Sequence, residues 1–213
     1  MSRADRVAAR LAERELDALL VTDRANLRYL TGFTGSAGYA VVGAALRRFV
    51  TDFRYVERAA AEVADFDREQ GPQELLGALA GGWPAGPVRL GFDDAHVTVR
   101  TFERLRETVP AGVELVAAGG VVEAERAVKD AGEIARIRAA AALVDDVYGW
   151  IRERGLVGRT ERSVAVALEH RMRELGASEP SFDSIVASAE HGALPHASPR
   201  DVEIARDTLV TLD

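Results

Sequence analysis

The chain has no cysteine among its 213 residues. This absence excludes a disulfide framework, a thiolate metal site and a cysteine nucleophile, and it is compatible with a reducing cytoplasm. A metal ion would have to be held by carboxylates and histidines, and the sequence offers 34 Asp and Glu residues and four His residues.

Long apolar runs and an excess of positive charge are also missing. No segment approaches the roughly 18 apolar residues that span a membrane, and the charged opening "MSRADRVAARLAERELDALLVT" is neither a signal peptide nor an anchor. The net charge of -7 and the dispersed basic residues argue against nucleic acid as a partner. We therefore expect a cytoplasmic protein that binds neither membranes nor nucleic acids.

The composition that is present, 47% hydrophobic and 29% charged, is sufficient to bury a core. In the first half, apolar segments of strand length alternate with helical patterns. The predicted strands are "DALLVT", "GYAVVG", "RRFVTD", "VRLGFDD" and "GVELVAA". This alternation predicts an α/β layer domain that ends near residue 120.

The second half is dominated by two longer helical patterns. The first has Ile134, Ile137, Val144, Val147 and Ile151 on one face and is closed by glycine at position 155. The second begins with threonine 160 as N-cap and stops at glycine 176. "SFDSIVAS" and "DTLVTLD" are predicted as strands, the second of them buried, so the domain combines helices with only two strands of a sheet.

The segment "TGFTGSAG" is rich in glycine, which raises the question of a phosphate-binding loop. Its residues Gly32, Gly35 and Gly38 are spaced by three and no lysine follows, so they match neither the dinucleotide fingerprint nor the P-loop. We interpret them as turn glycines.

Three residues near the end of the chain are candidates for chemistry. His191 and His196 share a loop with Pro195 and Pro199, which stiffen its backbone and can fix the direction of an imidazole. Asp213 follows an apolar strand, where an inward carboxylate needs a cation, and a hard divalent ion is such a partner. One carboxylate and one imidazole form only half a site.

Other charged residues are interpreted as solvated. His96 and His170 occur in ordinary strand-end and helix contexts, and Glu161, Glu169 and Glu174 are interpreted as a charged face of the second helix.

Three separated motifs resemble the Xaa-Pro aminopeptidase and prolidase family. "LDALLVTDRANLRYLTGFTGSAGYAVV" with "VTDFRYVERA" resembles its N-terminal domain, and "KDAGEIARIRAAAALVDDVY" resembles its linker and first catalytic helix. "PSFDSIVASAEHGALPHASPRDVEIARDTLVTLD" resembles the opening of its catalytic domain. The resemblance implies an α/β creatinase-like N-terminal domain at 1–122, followed at 123–213 by the first, incomplete part of an α+β pita-bread catalytic domain.

The resemblance also implies a function: metal-dependent hydrolysis of Xaa-Pro peptide bonds, as an aminopeptidase or dipeptidase, by a homodimer. In the family, two divalent ions (manganese, cobalt or zinc) generate a hydroxide and polarise the scissile carbonyl. Asp213 matches the first metal-ligand aspartate. His196 matches the catalytic histidine that contacts the substrate and stabilises the tetrahedral intermediate.

The remaining family ligands, a second aspartate, a histidine and two glutamates, do not occur in the sequence given. We therefore expect the 213-residue chain to be truncated, inactive alone and unable to bind metal tightly. Two alternatives stay open: a non-catalytic protein-binding module of the same fold, and a creatinase-like amidinohydrolase. Asp213 favours the peptidase over the second alternative.

Overall fold

The computed structural model describes residues 1–213, which divide into two compact units, Met1–Val128 and Lys129–Asp213. The first unit contains five α-helices and six strands. The helices are α1 (Arg3–Glu13), α2 (Arg24–Thr31), α3 (Val56–Glu62), α4 (Val99–Thr108) and α5 (Val121–Ala127). The strands are β1 (Ala18–Val21), β2 (Tyr39–Gly43), β3 (Arg47–Thr51), β4 (Asp67–Gln70), β5 (Val88–Phe92) and β6 (Val113–Ala117).

The six strands form one mixed sheet in the order β4-β3-β2-β1-β5-β6. The pairs β1/β2 and β2/β3 are antiparallel, and β3/β4, β1/β5 and β5/β6 are parallel. β1 lies inside the sheet and is buried along its whole length, which explains why its sequence, Ala-Leu-Leu-Val, is uniformly apolar.

Side chains alternate between the two faces of this sheet. Leu19 and Val21 of β1 pack with α1, α2, α3 and α5 in one apolar cluster. Leu20 belongs to a second cluster with Leu105 of α4 and Leu79 of the 3₁₀ helix Leu75–Ala80. The sheet is therefore covered on both faces, and the predicted α/β layer domain is confirmed.

The glycines of "TGFTGSAG" have steric reasons to be glycine. Gly32 ends α2 in the left-handed region, with φ of 81°. A Cβ on Gly35 would lie 2.3 Å from a ring carbon of Phe33, and one on Gly38 would lie 3.2 Å from ring carbons of Phe33 and Phe49. These contacts support the structural interpretation of the glycines.

The helices α2 and α5 and the strand β4 of the first unit were not predicted. β4 has the polar sequence Asp-Arg-Glu-Gln and lies at an edge of the sheet, so it carries no apolar alternation. α5 buries Val121 and Val122 in the core of the first unit, and the units accordingly divide after Val128. The domain extents 1–122 and 123–213 stay a prediction; that boundary falls within α5.

The second unit contains two helices, α6 (Ala131–Arg154) and α7 (Glu161–Glu174), and two short strands, β7 (Val186–Ser188) and β8 (Val210–Leu212). The strands pair antiparallel, with Val186 opposite Leu212 and Ser188 opposite Val210. A compact core joins helices and strands; its buried members are Val147, Ile151, Val164, Ala165, Leu168, Val186 and Ile204. No helix of the protein combines the length and the apolar character needed to cross a membrane.

Both helices of this unit begin and end close to the predicted residues. The Thr160 side chain accepts a hydrogen bond from the backbone N–H of Ser163 at 3.1 Å, which confirms it as the N-cap of α7. Gly155 and Gly176 follow the two helices with positive φ angles of 73° and 101°.

The prediction of "DTLVTLD" as a buried strand is wrong. Only Val210–Leu212 is extended, and its residues are half-buried or exposed. Leu209 is 89% exposed, and Asp207 has a positive φ of 58° that delays the start of the strand. β8 pairs with β7 alone.

Candidate functional site

The second unit is organised around one buried carboxylate, that of Glu161 in the first turn of α7. The residue has no exposed surface. Its oxygens accept hydrogen bonds from the backbone N–H and hydroxyl of Ser188, both at 2.8 Å, and from the backbone N–H and guanidinium of Arg200, at 3.1 Å. His191 Nδ1 lies 3.0 Å away. These contacts satisfy the carboxylate from several sides.

Burial alone would raise the pKa of Glu161, but the hydrogen bonds from Arg200 and Ser188 outweigh it and hold that pKa well below its usual range. The position at a helix N-terminus favours negative charge as well. Glu161 is therefore a buried, ionised carboxylate. Its interpretation as part of a solvated face is therefore wrong. The sequence could not show this, because the partners of Glu161 lie 27 to 39 residues away and no local pattern reveals them.

His196 lies in the segment between these partners. The segment runs from Ser188 at the end of β7 to Arg200, and its far end is also fixed by the backbone N–H of Arg162, which donates to the Arg200 carbonyl at 3.0 Å. The His196 side chain is exposed and makes no hydrogen bond or ion pair, whereas the adjacent Ala197 is buried. The structure thus fixes the backbone around His196 and leaves its imidazole accessible.

Asp213 directly follows β8. Its backbone N–H donates to the Ile185 carbonyl at 2.9 Å, and its carbonyl accepts from the Ile185 N–H at 2.7 Å. The side chain is exposed, so the expected inward position is wrong. It borders an open groove of about 510 Å³ whose walls include Tyr148 and Phe182, and whose other acidic member is Glu179.

No side-chain hydrogen bond or ion pair joins the two candidate residues, which stay a prediction. Neither His196 nor Asp213 makes a side-chain hydrogen bond or ion pair, with the other or with a third residue. A site for two divalent ions needs several converging carboxylates or imidazoles, and the second unit contains no group of three or more such ligands within reach of one ion. The residues present do not fit a dinuclear centre by themselves.

A different group of potential metal ligands lies in the first unit. Ligand atoms of Asp93, His96 and Glu123 all fall within 4.8 Å of one another. The Asn26 amide bridges the two carboxylates, donating to Asp93 at 3.2 Å and to Glu123 at 2.5 Å. Burial raises the pKa of Asp93, and Glu123 raises it further. The sequence does not reveal this group, and His96 is given no function there, because Glu123 of α5 meets the turn of Asp93 and His96 from a distant part of the chain.

Comparison with known proteins covers both units. Residues 3–128 match the model of the creatinase/prolidase N-terminal domain, and residues 135–213 match that of metallopeptidase family M24. An uncharacterized peptidase of Bacillus subtilis is 38% identical over 199 residues, which are 93% of this chain and 56% of the relative.

Solved structures agree with this assignment. An Xaa-Pro dipeptidase from Bacillus anthracis is 30% identical, with a TM-score of 0.90 over 99% of this chain and 59% of that one. An X-Pro aminopeptidase from Thermotoga maritima is 28% identical, with a TM-score of 0.86 over 100% of this chain and 60% of that one. The chain therefore spans little more than half the length of these relatives. The predicted fold, a creatinase-like domain followed by part of a pita-bread domain, is confirmed.

Proposed function

We propose a function from one fact: the chain belongs to the creatinase/prolidase N-terminal domain family and continues into metallopeptidase family M24. In this proposal the protein hydrolyses the peptide bond that precedes proline in Xaa-Pro substrates. The observation that carries it is the match of the second unit to family M24 over residues 135–213, supported by relatives named as Xaa-Pro dipeptidase and X-Pro aminopeptidase.

Within this proposal, His196 contacts the substrate and stabilises the tetrahedral intermediate, which it can do as a hydrogen-bond donor to the developing oxyanion. An exposed imidazole on a braced backbone suits that role, because it is accessible to a ligand and held in place. Asp213 is the proposed first metal ligand, and its backbone is fixed to Ile185 by two hydrogen bonds. We further propose that the protein works as a cytoplasmic homodimer.

The metal proposal has two parts. The whole protein would use two divalent ions, manganese, cobalt or zinc, to activate water and polarise the scissile carbonyl. The 213 residues alone would bind no such ion tightly, because Asp213 belongs to no group of three or more converging ligands that could offset the hydration of the ion.

Calorimetric titration of the 213-residue chain with Mn²⁺ tests the second part. We expect the same weak heats from the parent chain and from Asp213→Asn. Tight binding of two ions that Asp213→Asn abolishes would contradict the proposal. His96→Ala is the control for the first unit, since binding that this variant removes belongs to the group around Asp93.

The activity is tested on the longest form of the protein that its gene encodes. We expect hydrolysis of an Xaa-Pro dipeptide or of a longer Xaa-Pro peptide, lost on adding a chelator, and the length preference separates dipeptidase from aminopeptidase. His196→Ala should lower kcat/KM by about 10²-fold or more, the usual effect of removing one oxyanion donor. His170→Ala is the matched control, because that side chain is 75% exposed.

Two outcomes would overturn the activity proposal. Hydrolysis of creatine in place of Xaa-Pro peptides would identify an amidinohydrolase. A folded protein that cleaves neither substrate in the presence of divalent ions would identify a non-catalytic module.

A further inference from the structure

One carboxylate holds both ends of the segment that carries His196. Ser188 lies at the start of this segment and Arg200 at its end, and both donate to Glu161 through backbone N–H and side chain. His191, inside the segment, contacts the same carboxylate at 3.0 Å. Glu161 thus closes a loop of 13 residues, 188–200, around a single buried point.

The position of His196 depends on this closure because the residue has no polar contact of its own. Its imidazole is exposed and makes no hydrogen bond, and the buried Ala197 is its immediate packed neighbour. Pro195 and Pro199 restrict φ on both sides, but they cannot set where the segment lies relative to α7. That placement comes from the contacts of Ser188, His191 and Arg200 with Glu161. Backbone bonds to Leu209 and Arg162 and a bond from the Thr211 hydroxyl to the Gly192 carbonyl at 3.5 Å add to it.

We propose that Glu161 is a positioning residue for His196: by binding Ser188, His191 and Arg200 together, its carboxylate places the histidine-bearing loop for the reaction. This inference rests on the proposed Xaa-Pro hydrolysis, and it adds a residue that does not touch the substrate. Glu161 is fully buried, so it acts only through the loop.

A carboxylate is specifically required at this point. Five N–H or O–H groups of Ser188 and Arg200 converge on its two oxygens, and a carboxylate offers about four acceptor sites with no donor. A glutamine would keep one acceptor oxygen and turn an NH₂ group toward the same donors. Glu161→Gln should therefore release at least one end of the loop.

The first arm of the test measures loop order in the 213-residue chain. The variants are Glu161→Gln and Arg200→Gln. The Arg200 side chain is 47% exposed, so we expect Arg200→Gln to fold. Controls with the same chemical change at surface ion pairs are Glu174→Gln and Arg173→Gln. NMR order parameters of the 189–199 amides should be near those of rigid backbone, about 0.85, in the parent chain and the controls, and fall below about 0.6 in the two variants.

The second arm measures kinetics in the longest encoded form. Arg200→Gln should lower kcat on an Xaa-Pro peptide at least about tenfold while KM changes less, because a displaced loop costs transition-state stabilisation. A double-mutant cycle separates positioning from general destabilisation. In a His196→Ala background, Arg200→Gln should have almost no further effect on kcat.

The outcomes are distinct. An ordered loop in both variants, or a full effect of Arg200→Gln in the His196→Ala background, would overturn the positioning role. If Glu161→Gln does not fold, Arg200→Gln alone decides. A parent protein without Xaa-Pro hydrolysis would refute the proposed function, and hence this role in it, while the NMR arm would separately report whether Glu161 holds the loop.

Discussion

Replacing Glu161 by Gln should destabilise the second unit by about 3 kcal/mol at pH 7. Breaking a buried charge pair by removing one partner costs roughly 3–5 kcal/mol. The lower end applies here because Arg200, with 47% of its side chain exposed, can be hydrated once its partner is gone. The remaining cost falls on the buried Ser188, whose two donors would compete for one amide oxygen.

The loss should also depend on pH in a defined direction. The pKa of Glu161 is lowered in the folded state. Burial opposes this shift, and the hydrogen bonds from Arg200 and Ser188 cause it. Its stabilisation is therefore fully present above the unfolded pKa of about 4.3 and is lost as the pH falls toward the folded pKa. At about 1.4 kcal/mol per pH unit, the parent loses roughly 1.8 kcal/mol between pH 4.3 and pH 3. At pH 3 the difference in the free energy of unfolding between the parent chain and Glu161→Gln should therefore be about 1 kcal/mol.

The measurement is urea unfolding followed by the fluorescence of Trp150, which packs against the core of the second unit. Trp83→Phe removes the other tryptophan, which belongs to the first unit. Glu174→Gln is the control; its carboxylate pairs with Arg171 at the surface, so we expect a change below about 0.5 kcal/mol. A difference in the free energy of unfolding between the parent chain and Glu161→Gln of less than about 1 kcal/mol at pH 7 would refute the reasoning. So would a difference that stays constant from pH 7 to pH 3.

Two further predictions concern the first unit, both measured by urea unfolding. Gly35→Ala should lower the free energy of unfolding by about 1–3 kcal/mol, because the new Cβ meets the ring of Phe33. Gly81→Ala is the control; its Cβ would have no atom within 4 Å, so the loss should be less than about 0.5 kcal/mol. Equal losses in the two variants would contradict the steric argument. Glu125→Gln should cost about 1–2 kcal/mol, since hydrogen bonds from two arginines of α1 to this largely buried carboxylate lower its pKa. The exposed Glu103→Gln is its control, and an unchanged midpoint in Glu125→Gln would refute the role of that ion pair.

Much of the fold could be predicted because its signals are local. The uniformly apolar β1 indicates a strand buried on both faces, and Thr160 as N-cap is recognisable from its position before an amphipathic pattern. β4 could not be found in this way, because a polar edge strand is defined by its pairing with β3. The length of β8 likewise depends on the conformation of Asp207 and on its partner strand.

The residues of the candidate site differ in the same way: some have local sequence signals, and others depend on distant contacts. Sequence context and family resemblance predict His196 and Asp213 as site residues, since each lies in a recognisable short motif, and both stay predictions. Glu161 was misinterpreted because its burial depends on Ser188 and Arg200, which the fold brings to it from 27 and 39 residues away. A polar residue next to an N-cap has the same local pattern whether it faces solvent or a distant donor.

Glu161 also connects the two candidate residues through the backbone. It binds Ser188, the last residue of β7, and β7 pairs with β8 from Val186 to Ser188. The ladder continues through the two hydrogen bonds between Ile185 and Asp213. A buried carboxylate at one end of β7 and the proposed metal ligand beyond the other end are therefore parts of one hydrogen-bonded arrangement. The same carboxylate therefore binds both ends of the loop that carries His196 and the last residue of the strand that pairs with β8, and it contacts neither His196 nor Asp213.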